Sequence, residues 1–430
     1  MKKFFSPKTV AVIGASNKEW KVGYALMYNL RYFKNVVPIN LNESSILGRK
    51  CYRSVLEYKK KIDLAIISIP AKFVKKVLIE CGKKKIKNVI IISAGFSEIG
   101  NIKEEEELLD VAKKYGVRIL GANCFGTVNP YVELDTSFAK TIPDKGHIAF
   151  ISQSGALWSG IVEWSLDKFG FSKFASLGNM VDVDFADLIG YLSKDKLTKV
   201  IVCYIEYLKN GKKFMDAVRI CKKPVIVIKA GVSEAGIKAA LSHTGSIAGK
   251  YEIYKAAFKQ CGAILVENLT DAFNKANYLC SQRLGKKVVI VSNAGGPAVL
   301  ASDYCNKYNL EVVRLPKNFI GSLRLPNTWS KQNPIDLVGD ADYDRYREVF
   351  KKLNKKGFFD SVLVILTQQR MVDVIKVAEE VINFKKKSRK NVVCCFMGGN
   401  EVEIAKSILL REGIPCFFEI EDAVKVLGNL

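Results

Sequence analysis

Three short segments carry the residues best suited to chemistry. Ile148–Leu157 and Val288–Leu300 each run from an apolar stretch through a small polar turn into a helical pattern. The first turn is Ser152-Gln153-Ser154-Gly155, and the second is Asn293-Ala294-Gly295-Gly296. A helix start presents backbone N–H groups that have no partner within the helix, and the helix dipole adds partial positive charge. Both turns are therefore candidate phosphate sites. Between them lies His243, in Leu241-Ser-His-Thr-Gly-Ser-Ile-Ala-Gly249. The only other histidine, His147, opens a strand-like stretch, where it packs or faces solvent. The His243 loop has no apolar face to bury and no cluster of metal ligands, so the imidazole reads as a nucleophile. Neutral imidazole is plentiful near pH 7, and no large pKa shift is required. An imidazole between two phosphate-binding helix starts suits a transient phosphohistidine, and hence phosphoryl transfer. Such a nucleophile needs one ring nitrogen free and the other held. Glu206, at the end of Val200–Ile205, is the candidate holder, because a carboxylate fixes tautomer and ring orientation. From sequence alone, an exposed glutamate at a helix entry fits Glu206 equally well.

A second set of residues points to a nucleotide-type ligand. The turn after the first strand, Gly14-Ala15-Ser16 through Lys21 to Gly23, is similar to G-x-G-x-x-G but longer, with Ser16 at its second glycine. Alone this signal is weak, since a glycine after a strand is often only a tight turn. The second strand ends at Pro38-Ile-Asn40, where dinucleotide-binding folds place a carboxylate for the ribose hydroxyl. Asn40 is neutral, although Glu43 is near. That fits a ligand carrying phosphate on its ribose, as coenzyme A does, with Lys21 available to balance charge. Three further small turns, Ser68-Ile69-Pro70-Ala71, Ser93-Ala94-Gly95-Phe96 and Asn123-Cys124-Phe125-Gly126, fall on the same carboxyl edge. Each is ordinary turn chemistry by itself; together they mark the edge where ligands of open α/β sheets bind.

Those residues need a scaffold, and the chain supplies one. Apolar strand-like runs alternate with helical stretches from end to end, which predicts an α/β fold with parallel sheets. Strands at Thr9–Ile13, Val36–Ile39, Leu64–Ile69, Val89–Ser93 and Arg118–Leu120 form a Rossmann-like block over 1–130. A flavodoxin-like block over 146–280 has strands at His147–Ser152, Lys173–Ser176, Lys199–Glu206, Pro224–Lys229 and Ala263–Val266. A second one, over 286–430, has strands at Lys287–Ser292, Leu310–Arg314, Ser361–Thr367, Asn391–Met397 and Pro415–Phe418. Tyr131–Lys145 and Ala276–Lys286 read as linkers.

Composition narrows the functional class. At 430 residues, 49% hydrophobic and 26% charged, the chain reads as a soluble globular protein. It contains no apolar run of about 18 residues, and its first residues lack the apolar core of a signal peptide. Eleven cysteines are scattered without C-x-x-C or Cys/His ligand spacing, so reduced, buried thiols in the cytoplasm are expected, with no metal site. A net charge of +24 raises nucleic acid as a partner. The lysines, however, are not interleaved with aromatics, and no nucleic-acid module is present. A solvated lysine surface, an acidic protein partner or anionic ligands account for the charge more simply.

At this level the whole chain resembles the alpha subunit of ADP-forming acetyl-CoA synthetase (acetate–CoA ligase), a relative of succinyl-CoA synthetase. The resemblance rests on Ser-His-Thr-Gly-Ser around His243, Ser-Gln-Ser-Gly-Ala at Ser152 and Ser-Asn-Ala-Gly-Gly-Pro at Ser292, with further matching segments in all three blocks. It implies a Rossmann-like CoA-binding domain followed by two succinyl-CoA synthetase-like flavodoxin domains. It also implies a reversible reaction: acyl-CoA, phosphate and ADP give acid, CoA and ATP through an acyl phosphate and phosphorylated His243. In the family both helix starts point at the phosphohistidine, and a glutamate matching Glu206 steadies it. No ATP-grasp domain is legible here, so the resemblance implies a separate ATP-grasp beta subunit in an α2β2 assembly, holding most of the Mg²⁺ and ADP/ATP contacts. The chain departs from the family pattern at Ala122, Phe125 and Val232, which touches acyl specificity more than reaction type.

Two other classes compete. A Ser–His hydrolase would use Ser154 and His243, but Ser154 lacks the G-x-S-x-G elbow and no oxyanion motif is evident. A CoA-binding regulatory module without catalysis would need only the first block, which leaves His243 and both flanking helix starts without a purpose.

Overall fold

The computed structural model describes residues 1–238, 250–282, 285–354, 356–388 and 390–428. They form two compact units, Met1–Glu267 and Asn268–Leu430. His243 lies outside the described residues.

The first unit holds two sheets. One is fully parallel, in the order Val36–Ile39, Val10–Ile13, Leu64–Ile67, Asn88–Ile91, Arg118–Gly121. Its first four strands in sequence are buried along their whole length. Helices on both faces of a parallel sheet demand this, and it explains why these strands read as near-continuous apolar runs. One crossover helix, Ile102–Tyr115, shows the local rules. It carries Glu104 and Glu105 in its first turn and Lys113 and Lys114 in its last, matching the helix dipole. It buries Leu108, Val111 and Ala112 and stops at Gly116, in the left-handed conformation. Strand order reverses between Val10–Ile13 and Leu64–Ile67, so a crevice opens at Gly14 and Ser68. The backbones there are close. A Cβ on Gly23 would sit 1.9 Å from the Gly14 carbonyl oxygen, so only glycine lets helix Val22–Asn29 seat against the first turn.

The second sheet has five parallel strands in the order Ile264–Val266, Val225–Lys229, Val200–Ile205, Lys145–Ser152, Phe171–Ser176. Here strand order reverses between Lys145–Ser152 and Val200–Ile205. Two antiparallel strands, Thr127–Asn129 and Leu134–Asp135, extend this sheet beyond Phe171–Ser176. The sequence reading starts this block at Gly146 and treats Tyr131–Lys145 as a linker. The extra pair escapes it because two- and three-residue strands carry too little periodicity to register. Buried side-chain bonds anchor the pair: Thr127 Oγ1 donates to the Phe4 carbonyl at 2.8 Å, and Asn129 Nδ2 to the Phe5 carbonyl at 2.8 Å.

The second unit is a parallel sheet in the order Glu311–Val312, Lys287–Ser292, Ser361–Thr367, Asn391–Met397, Cys416–Phe417. The short strand Ile335–Asp336 also pairs with Lys287–Ser292, in parallel. Its reversal point lies between Lys287–Ser292 and Ser361–Thr367. Much of the stretch read as a second linker is helix, Leu269–Ser281, capped by Asn268 accepting from the Asp271 N–H at 2.8 Å. All eleven cysteines are free, and none of the helices among the described residues is long and apolar enough to cross a membrane.

Candidate active site

Within the first unit, the reversal points of both sheets contribute to one cavity of about 650 Å³. Ile69, Pro70, Ser93, Ala94, Asn123 and Cys124 come to it from the first sheet's carboxyl edge. Gln153, Ser154, Gly155 and Glu206 come from the second sheet. These ten are among the residues singled out by sequence. Gly14, Ala15, Ser16, Lys21, Asn40, Gly95 and Ser152 do not line the cavity. Most of these shape what surrounds it. Asn40 Nδ2 donates to the Ala15 carbonyl at 2.8 Å, fastening the second strand's end to the first turn. Ser16 Oγ accepts from the Lys18 N–H at 3.0 Å. Lys21 is exposed at the start of helix Val22–Asn29.

Ser93 and Glu98 set the first wall. Ser93 Oγ accepts from the Ile69 N–H at 3.1 Å and donates to the Ile69 carbonyl at 2.5 Å, so one hydroxyl ties two strand ends together. Burial works to raise the Glu98 carboxyl. The Gly95 N–H, the Asn179 carboxamide and the Phe96 N–H together hold it below the usual carboxylate range. Asn179 is itself buried and bridges two acids, donating to Glu98 at 2.6 Å and Glu105 at 2.9 Å. It also lines the cavity. Sequence reasoning gave Asn179 no role, since its place depends on the Gly178 turn folding back onto the Ala122–Asn123 backbone. Burial pushes the Cys124 thiol up to about 12.

The second wall centres on Gln153 and Glu206. Ser152 Oγ donates to the Ser154 carbonyl at 2.6 Å, which bends the chain into helix Ala156–Ser165. Gln153 reaches across the reversal point, and its Oε1 accepts from the Glu206 N–H at 2.6 Å and the Tyr207 N–H at 3.0 Å. Its Nε2 is buried without a partner among the described residues. Opposite, Lys229 Nζ donates to the Glu206 carbonyl at 2.7 Å and lies 4.6 Å from the Tyr254 ring centre. The Glu206 peptide is thus clamped at both its N–H and its C=O. Burial pushes the Lys229 ammonium down to about 8, opposed by the Glu206 charge. Glu206 is 7% exposed, so the reading of it as an exposed helix-entry glutamate does not hold. Lys229 escaped the sequence reading because one lysine at a strand end looks like many others in so basic a chain.

In the second unit, Asn293, Ala294, Gly295 and Gly296 lead into helix Gly295–Lys307. The turn repeats the construction at Ser152. Ser292 Oγ donates to the Ala294 carbonyl at 2.8 Å and accepts from the Ala294 N–H at 3.0 Å. Asn293 binds the next strand's end, donating to the Thr367 carbonyl at 3.0 Å and accepting from the Thr367 N–H at 2.9 Å.

Three family models match in succession: a CoA binding domain over residues 8–130, a succinyl-CoA ligase like flavodoxin domain over 145–279 and a Ligase-CoA domain over 288–430. The chain is 43% identical to acetate–CoA ligase [ADP-forming] I of Archaeoglobus fulgidus over its whole length, and it spans 63% of that protein. It is also 43% identical to the acetate–CoA ligase [ADP-forming] II subunit alpha of Pyrococcus furiosus, over 97% of this chain and 94% of that subunit. Among solved structures, the dinucleotide forming acetyl-coenzyme A synthetase 1 of Ca. Korarchaeum cryptofilum, in complex with phosphate and ADP, superposes with a TM-score of 0.95. That match has 34% identity and covers 99% of this chain and 95% of the other. With this agreement in sequence, domain order and fold, the chain belongs to the ADP-forming acetate–CoA ligase family.

Proposed function

We propose that the chain is the alpha subunit of an ADP-forming acyl-CoA ligase, interconverting acyl-CoA, phosphate and ADP with acid, CoA and ATP. The observation that carries this reading is the single cavity joining the turns expected to hold CoA to the start of helix Ala156–Ser165 and to Glu206. The ligand's nucleotide end lies along Gly14–Ser16, Lys21 and Asn40. Its thioester enters between Ile69-Pro70, Ser93–Gly95 and Asn123-Cys124. Phosphate sits at Ser152–Gly155, where the first-turn N–H groups and the Gln153 carboxamide supply donors.

Chemistry then proceeds in two transfers. A phosphate oxygen attacks the thioester carbonyl carbon, the C–S bond breaks, and the departing thiolate takes the phosphate proton. The products are acyl phosphate and CoA. A nitrogen of His243 next attacks phosphorus and the carboxylate leaves. Glu206 holds the second ring nitrogen, and the loop carries the phosphoryl group onward. Asn293–Gly296, at a helix start of the second unit, is a second phosphate cradle. ADP and Mg²⁺ belong mainly to an ATP-grasp beta subunit, in an α2β2 assembly. The names of the relatives support a partner, since the Pyrococcus protein is called a subunit alpha. Eleven free cysteines fit a reducing cytoplasmic setting. We assign no role in binding nucleic acid.

The test is labelling with ³²P-phosphate and acyl-CoA, comparing the wild-type chain with His243→Ala. Acid-labile label that disappears in the variant is the expected result. Acid-stable label, or label that persists without His243, overturns the reading. ATP should form only once the ATP-grasp subunit is added.

A further inference from the structure

The acyl end of the substrate can be placed from the same cavity, on the reading that phosphate meets the thioester at the start of helix Ala156–Ser165. Attack requires the phosphate oxygen and the carbonyl carbon to come within about 3–3.5 Å. The acyl substituent therefore begins next to the phosphate, and the side chains packed on that helix start are the ones it meets. Phe125 is foremost. A Cβ built on Gly155 would lie 2.6 Å from the Phe125 Cβ, so Phe125 rests directly on the helix cap. Phe125 is buried, and its ring packs on Phe138 with centroids 3.7 Å apart and planes tilted by 37°. Both rings line the cavity, with Val22, Ile69 and Ala156.

Charge narrows the choice further. The lining contains no lysine, arginine or histidine among the described residues, and its one carboxylate is Glu206. A second carboxylate on the acyl group would find no cation here and would be repelled by Glu206. Burying such a charge unpaired costs far more than burying a methyl group gains.

We propose that Phe125 and Phe138 form the wall that the acyl group meets, setting its fit, and that the site rejects acyl groups carrying a second charge. The experiment uses the complex with its ATP-grasp subunit. CoA consumption is followed with acetate, 3-methylbutanoate, phenylacetate and succinate for wild type, Phe138→Ala and Phe125→Leu. Affinities of the complex for acetyl-CoA and phenylacetyl-CoA are measured calorimetrically in parallel. The ratio of kcat/KM between two acids does not depend on the fraction of folded enzyme. In Phe138→Ala, the phenylacetate-to-acetate ratio should rise by about 10- to 100-fold, the range a few methylenes of pocket space can supply. Phe125→Leu should raise the 3-methylbutanoate ratio, and succinate should stay poor throughout. Ratios within twofold of wild type in both variants, with turnover intact, overturn the wall and leave the catalytic reading standing. So does wild-type succinate turnover equal to that of acetate. Absent turnover, with the affinity for phenylacetyl-CoA rising relative to acetyl-CoA in Phe138→Ala, upholds the wall and fails the catalytic reading. Absent turnover with affinities unmoved or undetectable overturns the wall as well.

Discussion

The helix starts at Gly155 and Gly295 are built alike, yet they end differently. In each, a serine hydroxyl bends the turn, and the next residue's carboxamide crosses the reversal point to grip the end of the neighbouring strand. Asn293 closes both its polar atoms on Thr367. Gln153, one methylene longer, spends only Oε1 on the clip and leaves Nε2 without a partner among the described residues. The gripped strand ends differ too: a buried acid, Glu206, in the first unit and Thr367 in the second. On the proposed reading one structural clip serves two purposes: closed, it fastens a sheet; left open beside a cavity, it offers a donor to the phosphate.

Substitutions can break that comparison. Glu206→Ala should have the largest effect, lowering kcat of the reconstituted complex on the order of 10²–10³. Thr367→Val, at the equivalent strand end, should leave kcat within a few-fold. Equal losses at both positions would erase the distinction. Gln153→Glu keeps the acceptor that grips Glu206 and Tyr207 but removes the donor. Its kcat should fall on the order of 10², comparable to loss of an oxyanion donor. Protonation of the new carboxyl restores an O–H donor, so its rate relative to wild type should climb as pH is lowered. A merely structural clip would give Gln153→Glu no such pH dependence. Asn293→Asp breaks a closed clip and should also lower stability, by about 1–3 kcal/mol for a buried acceptor left unpaired, read from urea midpoints.

Two buried lysines sharpen the contrast at smaller scale. Lys229 clamps Glu206, whereas Lys275 donates to the carbonyls of Lys425, Val426 and Gly428 at the end of helix Ile420–Leu427. Burial pushes Lys229 to about 8 from its ordinary 10.5. Between those values the unfolded chain binds more protons than the folded one, so this group makes stability rise with pH across that window. In Lys229→Met that rise should vanish from a comparison of urea midpoints at pH 7 and 10, and kcat should fall by several-fold as Glu206 loosens. Lys275→Met should lower stability by about 1–3 kcal/mol, because the carbonyls it serves lose their donor. It should leave the kcat of the folded fraction unchanged, the smallest catalytic effect of the series.

The sequence shows the parallel sheets plainly, because strands buried on both faces are continuous apolar runs such as Val288–Val291 and Val362–Leu366. It shows equally which turns stand at their carboxyl edges, and ten of the residues so chosen line one cavity. What it hides are relations made by topology. Gln153 and Glu206 meet because their strands are neighbours, although 53 positions separate them. Phe138 sits in a stretch without periodicity and gains meaning only where the chain returns to pair at Leu134–Asp135. Asn179 needs three elements in place before it has both its acids to bridge.

The absence of a basic side chain from the described lining bears on direction. An ammonium or guanidinium beside the phosphate would make a deep electrostatic trap, and the group would have to climb out of it at every turnover. Amide and hydroxyl dipoles make a shallower well. In the proposed reaction, a phosphoryl group resting in such a well can pass to the carboxylate oxygen or to the imidazole at comparable cost. A catalyst built this way can run as a generator or as a consumer of ATP, with the concentrations around it deciding which.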